Sequence, residues 1–235
     1  MKPNVGPGRL IAIEGLDGAG TTTQTALLAE WLHGHKGCQV FETREPSRGL
    51  AGAVLRSVLA RRLAMDGRTL AALFAADRID HLYRQDGIAS RLADGIWVIM
   101  DRYYLSSFAY QPLSLERSEI EWLWHLHEPC LVPDMTFFID VPVEVCIARL
   151  QRDRGFHFEL YENSQTLQAV RSGYLSSIGY CRQLGHDIQT IDGVRPASEV
   201  ATAIGERLRP FLKQSCGAAS GRRSAPIQPA TDAAG

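Results

Sequence analysis

The chain lacks the features that would place it in several large protein classes. No apolar run is long enough to span a bilayer, and the stretch after Lys2 and Arg9 ends at Glu14, too short for a secretory leader. There is no excess of positive charge. Lys plus Arg number 25 against 26 Asp plus Glu, so no global field draws the chain to nucleic acid or to an anionic membrane, and any affinity for phosphate must be local. The five cysteines (Cys38, Cys130, Cys146, Cys181, Cys216) are odd in number and include no C-x-x-C pair or zinc-type spacing. They read as isolated thiols in a reducing cytoplasm. No internal repeat is present, and 235 residues suffice for one domain with a well-buried core.

A further absence is more specific. Gly15-Leu16-Asp17-Gly18-Ala19-Gly20-Thr21-Thr22-Thr23 carries the glycines of the phosphate-binding pattern G-x-x-x-x-G-K-S/T, but Thr21 stands where that pattern has lysine. The loop follows the apolar run Leu10 to Ile13, suited to a buried parallel strand, and precedes Thr25 to Leu32, which reads as a helix. Glycine at 15, 18 and 20 lets successive backbone N–H groups turn inward around a phosphate at a helix N-terminus. Thr22 occupies the place of the hydroxyl that ligates Mg²⁺.

β-rich segments recur at Leu10 to Ile13, Gln39 to Thr43, Ile96 to Met100, Thr136 to Val141 and Ile188 to Ile191, separated by helix-like stretches. This alternation predicts an α/β fold, a five-stranded, mostly parallel sheet covered by helices on both faces. Ser118 and Glu121 form an expected capping box for a short helix with Leu123 and Trp124 inward, Pro142-Val143-Glu144 suits a helix start, and Ser198 is the expected cap of the last helix. Residues 1–8 and 214–235 lack apolar periodicity and are expected to be disordered around a domain at 9–213. Arg222 and Arg223 in that tail read as solvated charges.

Four further strings narrow the chemistry: Thr43-Arg44-Glu45-Pro46, Leu73-Phe74-Ala75-Ala76-Asp77-Arg78, Asp101 to Gln111 beginning Asp-Arg-Tyr-Tyr, and Pro133 to Asp140. In a parallel sheet the C-terminal ends of strands line the ligand crevice, so Arg44, Asp101 and the glycine loop converge. With the loop, these strings resemble the thymidylate kinase family of P-loop nucleoside monophosphate kinases, from about Arg9 to Leu212.

The resemblance implies a P-loop three-layer sandwich with a short lid, at about 149–160. It implies ATP as donor on Gly15 to Thr23, Mg²⁺ as cofactor, dTMP as acceptor and a homodimer in the cytoplasm. Phe74 and Arg78, four apart on a helix, would stack on thymine and reach its carbonyl. Ser107, Tyr110 and Gln111 would surround base and deoxyribose, with Tyr110 crowding the place of a 2′-hydroxyl; for Gln111 ordinary helix packing is the alternative. Arg44 and Arg102 suit the acceptor phosphate, Glu45 would orient Arg44, and Asp17 resembles the family's carboxylate near the acceptor sugar. Asp101 would hold Mg²⁺ directly or through water, with a structural ion pair as the rival. Glu162 falls where some members place a carboxylate near the metal.

Charge crossing between two anionic nucleotides must be neutralised, and the family uses Mg²⁺ with arginines from the loop or the lid. Gly18 and Ala19 leave that task to the lid, where Arg152 and Arg154 are the candidates, with Arg149 behind them and a solvated basic helix end as the bland alternative. Asp17, Arg102, Arg152 and Arg154 form the expected catalytic set. Two other readings remain: a nucleotide-binding sensor or scaffold impaired by Thr21, and a kinase for another deoxynucleoside monophosphate. Pro46-Ser47-Arg48-Gly49 replaces the glycine-rich ending common after Arg-Glu-Pro, and Pro112 follows Gln111 where glycine is frequent.

Overall fold

A computed structural model of the chain describes residues 1–35, 38–154, 161 and 163–215. Five strands, β2 (Leu10–Gly15), β3 (Val40–Arg44), β4 (Trp97–Asp101), β6 (Met135–Asp140) and β7 (Ile188–Asp192), form a wholly parallel sheet in the order β3-β4-β2-β6-β7. β2 and β4 are buried along their whole length and β6 up to its last residue, whereas the edge strands β3 and β7 expose some of their residues. That contrast follows from position: a strand covered on both faces carries a continuous apolar run, and an edge strand meets water. Each observed strand lies within two residues of its expected bounds.

The helices are α1 (Thr21–His33), α2 (Leu50–Leu59), α3 (Gly67–Tyr83), α4 (Ile88–Ala93), α5 (Tyr104–Tyr110), α6 (Ile120–Leu126), α7 (Val143–Arg154), α8 (Ser164–Gln183) and α9 (Ala197–Ser215). α1 and α9 pack together as one layer, α5 and α8 as another. α1 starts four residues before its expected bound, because Gly20, at φ 96°, turns the loop straight into the helix. Most buried apolar side chains belong to one core around the sheet; Leu55, Val58 and Leu70 form a second, smaller cluster between α2 and α3, with Met65, Leu73 and Phe74 against it.

Three local expectations are corrected. The capping box is Glu116 with Glu119, not Ser118 with Glu121, and it opens a 3₁₀ turn ahead of α6; Leu123 is buried as expected and Trp124 only partly. Ser198 lies inside the first turn of α9, and its carbonyl accepts from Thr202. Residues 1–8 are ordered. Lys2–Pro3 forms β1, paired in parallel with β5 (Leu131–Val132), and Asn4 donates to Gly8 O and to Asp134 Oδ2. Asp134 also accepts from Arg9 Nη1 (2.7 Å) and Leu10 N (2.8 Å). The anchor is polar, which is why a search for apolar periodicity passes over it. The tail from residue 216, Glu162 and lid residues 155–160 lie outside the described residues.

Asp134 thus gathers three donors at the bottom of the sheet. Asp134→Ala should lower the unfolding free energy by about 3 kcal/mol, as for loss of one partner in a largely buried ion pair, read from urea titration. A change within about 0.5 kcal/mol would show that the segment is held by other contacts.

Candidate active site

The glycine loop connects β2 to α1. Gly18 and Gly20 have φ of 83° and 96°, a region that L side chains rarely adopt, and a Cβ on Gly18 would lie 2.5 Å from Cys146 O of α7. No side chain caps α1, so the first-turn N–H groups of the helix remain available to an anion. Thr21 is buried, with its γ-methyl 3.1 Å from where a Cβ on Gly15 would stand. The methyl therefore fills space inside the loop without supplying charge.

Thr22 Oγ1 donates to Asp101 Oδ2 at 2.6 Å, while Asp101 Oδ1 is buried without a hydrogen-bond partner. A hydroxyl and a carboxylate with a spare lone pair are the oxygen donors that Mg²⁺ prefers, and that ion usually takes few protein ligands and completes its shell with water and phosphate. The pair fits such an ion. Among the described residues no cluster of three His, Cys, Asp or Glu side chains could hold a metal by itself.

Arg102 follows Asp101 with φ 69°, and its N–H bonds to Ile13 O. The side chain donates to Asp17 Oδ1 at 2.6 Å and Gly15 O at 2.8 Å, and reaches the hydroxyls of Tyr110 and Tyr174 at 3.4 and 3.3 Å. Burial works against its charge, but Tyr110, Asp17, Tyr174 and Asp101 outweigh burial and hold its pKa well above the ordinary value. Tyr110 in turn donates to Asp17 Oδ2 at 3.0 Å. One carboxylate thus joins the loop, the end of β4 and α5.

Arg78 is buried on α3; Nε donates to Glu45 Oε2 at 2.7 Å, Nη1 to Ser107 Oγ at 2.9 Å and Nη2 to Tyr103 O at 3.1 Å. The expectation that Glu45 orients Arg44 is therefore wrong: Glu45 pairs with Arg78, because β3 ends before it and turns its side chain under α3. Arg44 is largely exposed, 3.9 Å from Asp101. Phe74 lines the cavity from the small α2–α3 cluster, and Gln111 is buried with Oε1 unpartnered.

Arg149, given only a background place by the sequence, touches the loop from α7. It donates to Gly18 O and Ala19 O at 3.4 and 3.3 Å and to Gly193 O at 2.9 Å. Arg152 lines the cavity; Arg154 is the last residue of α7. These walls enclose a cavity of about 1380 Å³, into which the loop, Arg44, Phe74, Arg78, Tyr110 and Gln111 all open. Gly193 to Ala197, after β7, close its far side; nothing in their composition marked them.

Glu14 was also missed. It sits at the end of the apolar run, wholly buried, accepting from Tyr103 N, Ser106 N, Ser106 Oγ and Tyr174 OH. Burial pushes its carboxyl from 4.5 up to about 7, although the Ser106 hydroxyl, Arg102 and the two backbone donors pull downward.

A glycine loop at a helix N-terminus, a hydroxyl–carboxylate pair beside it and an arginine-lined crevice at the C-terminal ends of parallel strands define a nucleotide-binding transferase of the kinase class. A sequence model described as Thymidylate kinase matches residues 13–204. The chain is 35% identical over 204 residues to a putative thymidylate kinase of Treponema pallidum, covering 87% of this chain and 94% of that protein. It is 38% identical over 208 residues to a thymidylate kinase of Nitrosomonas europaea, with 87% and 94% covered. To that of Nitrosomonas eutropha it is 37% identical over 220 residues, with 92% and 98% covered. The chain belongs to the thymidylate kinase family. No helix among the described residues is long and apolar enough to cross a membrane.

Glu14 yields a pH prediction. A carboxyl whose folded-state pKa is raised contributes stability that is fully present below about 4.5 and is lost as pH rises through about 7. Glu14→Gln removes that titration. Its stability relative to the parent chain should therefore improve by up to about 3 kcal/mol between about pH 5 and pH 8, measured by urea unfolding. A difference that does not change with pH would show that Glu14 keeps one protonation state across the range.

Proposed function

We propose that the chain transfers the γ-phosphoryl group of ATP to dTMP, giving ADP and dTDP. The observation that carries this reading is the junction at Arg102 and Asp17, which ties the glycine loop to the wall bearing Tyr110, Phe74 and Arg78. An oxygen of the acceptor monophosphate attacks the γ-phosphorus in line as the bond to the β-γ bridging oxygen breaks. The acceptor oxygen is already anionic near neutral pH, so no general base is required and the protein's work is positioning and charge stabilisation.

Backbone N–H groups of Gly18 and of Gly20 to Thr22 would cradle the donor phosphates, while Ala19 N donates to Leu16 O within the loop, and Arg102 with Arg44 would hold the acceptor phosphate. Mg²⁺ bound by Thr22 and Asp101 would neutralise charge on the donor oxygens. Tyr110, pinned by Asp17, would occupy the space of a ribose 2′-hydroxyl, and the second Nη1 proton of Arg78 remains for a base carbonyl. Exposed Leu50 and Val54, one turn apart on α2, with Tyr83 on α3, support association as a homodimer. The absence of lysine at 21 favours a second reading, a protein that binds both nucleotides without turnover.

A coupled assay of ADP formation over a panel of monophosphates tests the function. It should show dTMP as the best acceptor, dUMP weaker and ribonucleotides much weaker; UMP preferred over dUMP would overturn the reading, and binding of ATP and dTMP without turnover would favour the sensor.

The missing lysine gives a second test. Arg152→Ala should lower kcat by about 10² with little change in dTMP affinity, the signature of an interaction made in the transition state. Thr21→Lys should gain little alone and recover part of the lost rate in the arginine-deleted background. Equal effects of Thr21→Lys in both backgrounds, read from a double-mutant cycle, would refute the compensation.

A further inference from the structure

Arg44 leaves β3 with an exposed side chain and, among the described residues, only a distant carboxylate beside it, so where its guanidinium points depends on the backbone that follows. That backbone is held with unusual thoroughness. Glu45 N donates to Asp101 O at 3.0 Å, and the Glu45 carboxylate is gripped by Arg78. Two residues later, Ser47 N donates to Asp77 Oδ2 at 2.7 Å and Ser47 Oγ to Asp77 Oδ1 at 2.6 Å, while Ser47 Oγ accepts from Gly49 N at 2.9 Å. Arg56 of α2 donates to the carbonyls of Pro46 and Ser47. A Cβ on Gly52 would lie 2.0 Å from Ser47 O, so the first turn of α2 presses on the same loop.

Asp77 and Arg78 are adjacent on α3 and reach back to residues 47 and 45, one accepting and one donating, so the loop is clasped on both sides of Pro46. Asp77 and Ser47 are both buried, and neither lines the cavity. Burying a carboxylate is costly unless its oxygens are satisfied, and here Ser47 supplies donors to both oxygens. A glycine at 47 would offer only its N–H. We infer that Asp77, acting through Ser47, is a positioning residue for the acceptor side, fixing the loop that presents Arg44 and Arg48 to the cavity. The inference rests on the reading that this side takes dTMP. It assigns no role on the donor side, because the clasped loop makes no contact with Gly18 to Thr23 among the hydrogen bonds described.

The test compares Asp77→Ala, Asp77→Asn and Ser47→Ala in the full chain, with KM for dTMP and for ATP, kcat, calorimetric Kd for each nucleotide alone, and Tm. Asp77→Ala should raise KM and Kd for dTMP by about tenfold or more, with the ATP values within about twofold, as expected when a substrate-holding group is displaced. Ser47→Ala, which keeps the backbone bond, should fall between Asp77→Ala and the parent chain. Asp77→Asn should recover most of the loss, since its amide can accept from Ser47 N and donate to Ser47 Oγ. If Asp77→Ala does not fold, Ser47→Ala decides on the same readouts. A lowered Tm with unchanged dTMP constants, or equal rises for dTMP and ATP, would overturn the inference and reduce Asp77 to a structural role. A parent chain that neither binds nor phosphorylates dTMP would instead overturn the acceptor reading, so the two failures are separable.

Discussion

The site depends on one partly buried ion pair, Arg102 with Asp17, at 2.6 Å. A guanidinium partly withdrawn from water needs a carboxylate and further acceptors, and removing one partner leaves the other charge without its counterpart. Here the remaining acceptors are Gly15 O and two tyrosine hydroxyls, so the pair also fixes the loop's first residue and the inner face of α5 and α8. The left-handed backbone at Arg102 is part of the same arrangement: it turns the chain sharply between β4 and α5, aiming the side chain at the loop.

Arginine carries the cavity's positive charge. Twenty-two of the chain's basic residues are arginines against three lysines, and Lys2, the lysine whose side chain is described, does not line the cavity. Nine arginines and three carboxylates do, in a chain whose formal net charge is -1. The local excess draws polyanions to the crevice without making the whole surface sticky, and planar guanidinium groups match phosphate oxygens in pairs where an ammonium offers a point charge. Arg149 across the loop carbonyls belongs to the same pattern.

The places of the five strands, the glycine loop and its convergence with Arg44 and Asp101 were legible because they depend on local signals: apolar runs, glycines at fixed spacing and residues at strand ends. The partners of buried polar groups were not. Glu45 turned to Arg78 instead of Arg44, Asp134 gathered Asn4, Arg9 and Leu10 N, and Glu14 found one donor just before α5 and three on α5 and α8, all across long stretches of sequence. Periodicity reports which face is buried and is silent on which charge meets which. Caps failed for a related reason: Glu116 with Glu119 took the box expected of Ser118, and α9 already starts at Ala197, after Pro196, so that Ser198 falls inside it.

Phe74 stands on the small cluster of Leu55, Val58 and Leu70, apart from the core that carries the sheet. On the proposed reading, this makes the acceptor wall a module in evolutionary terms. Substitutions that reshape this wall draw on the packing around two helices and leave the strands that position the glycine loop undisturbed, so a lineage can retune the wall while the loop stays under separate selection.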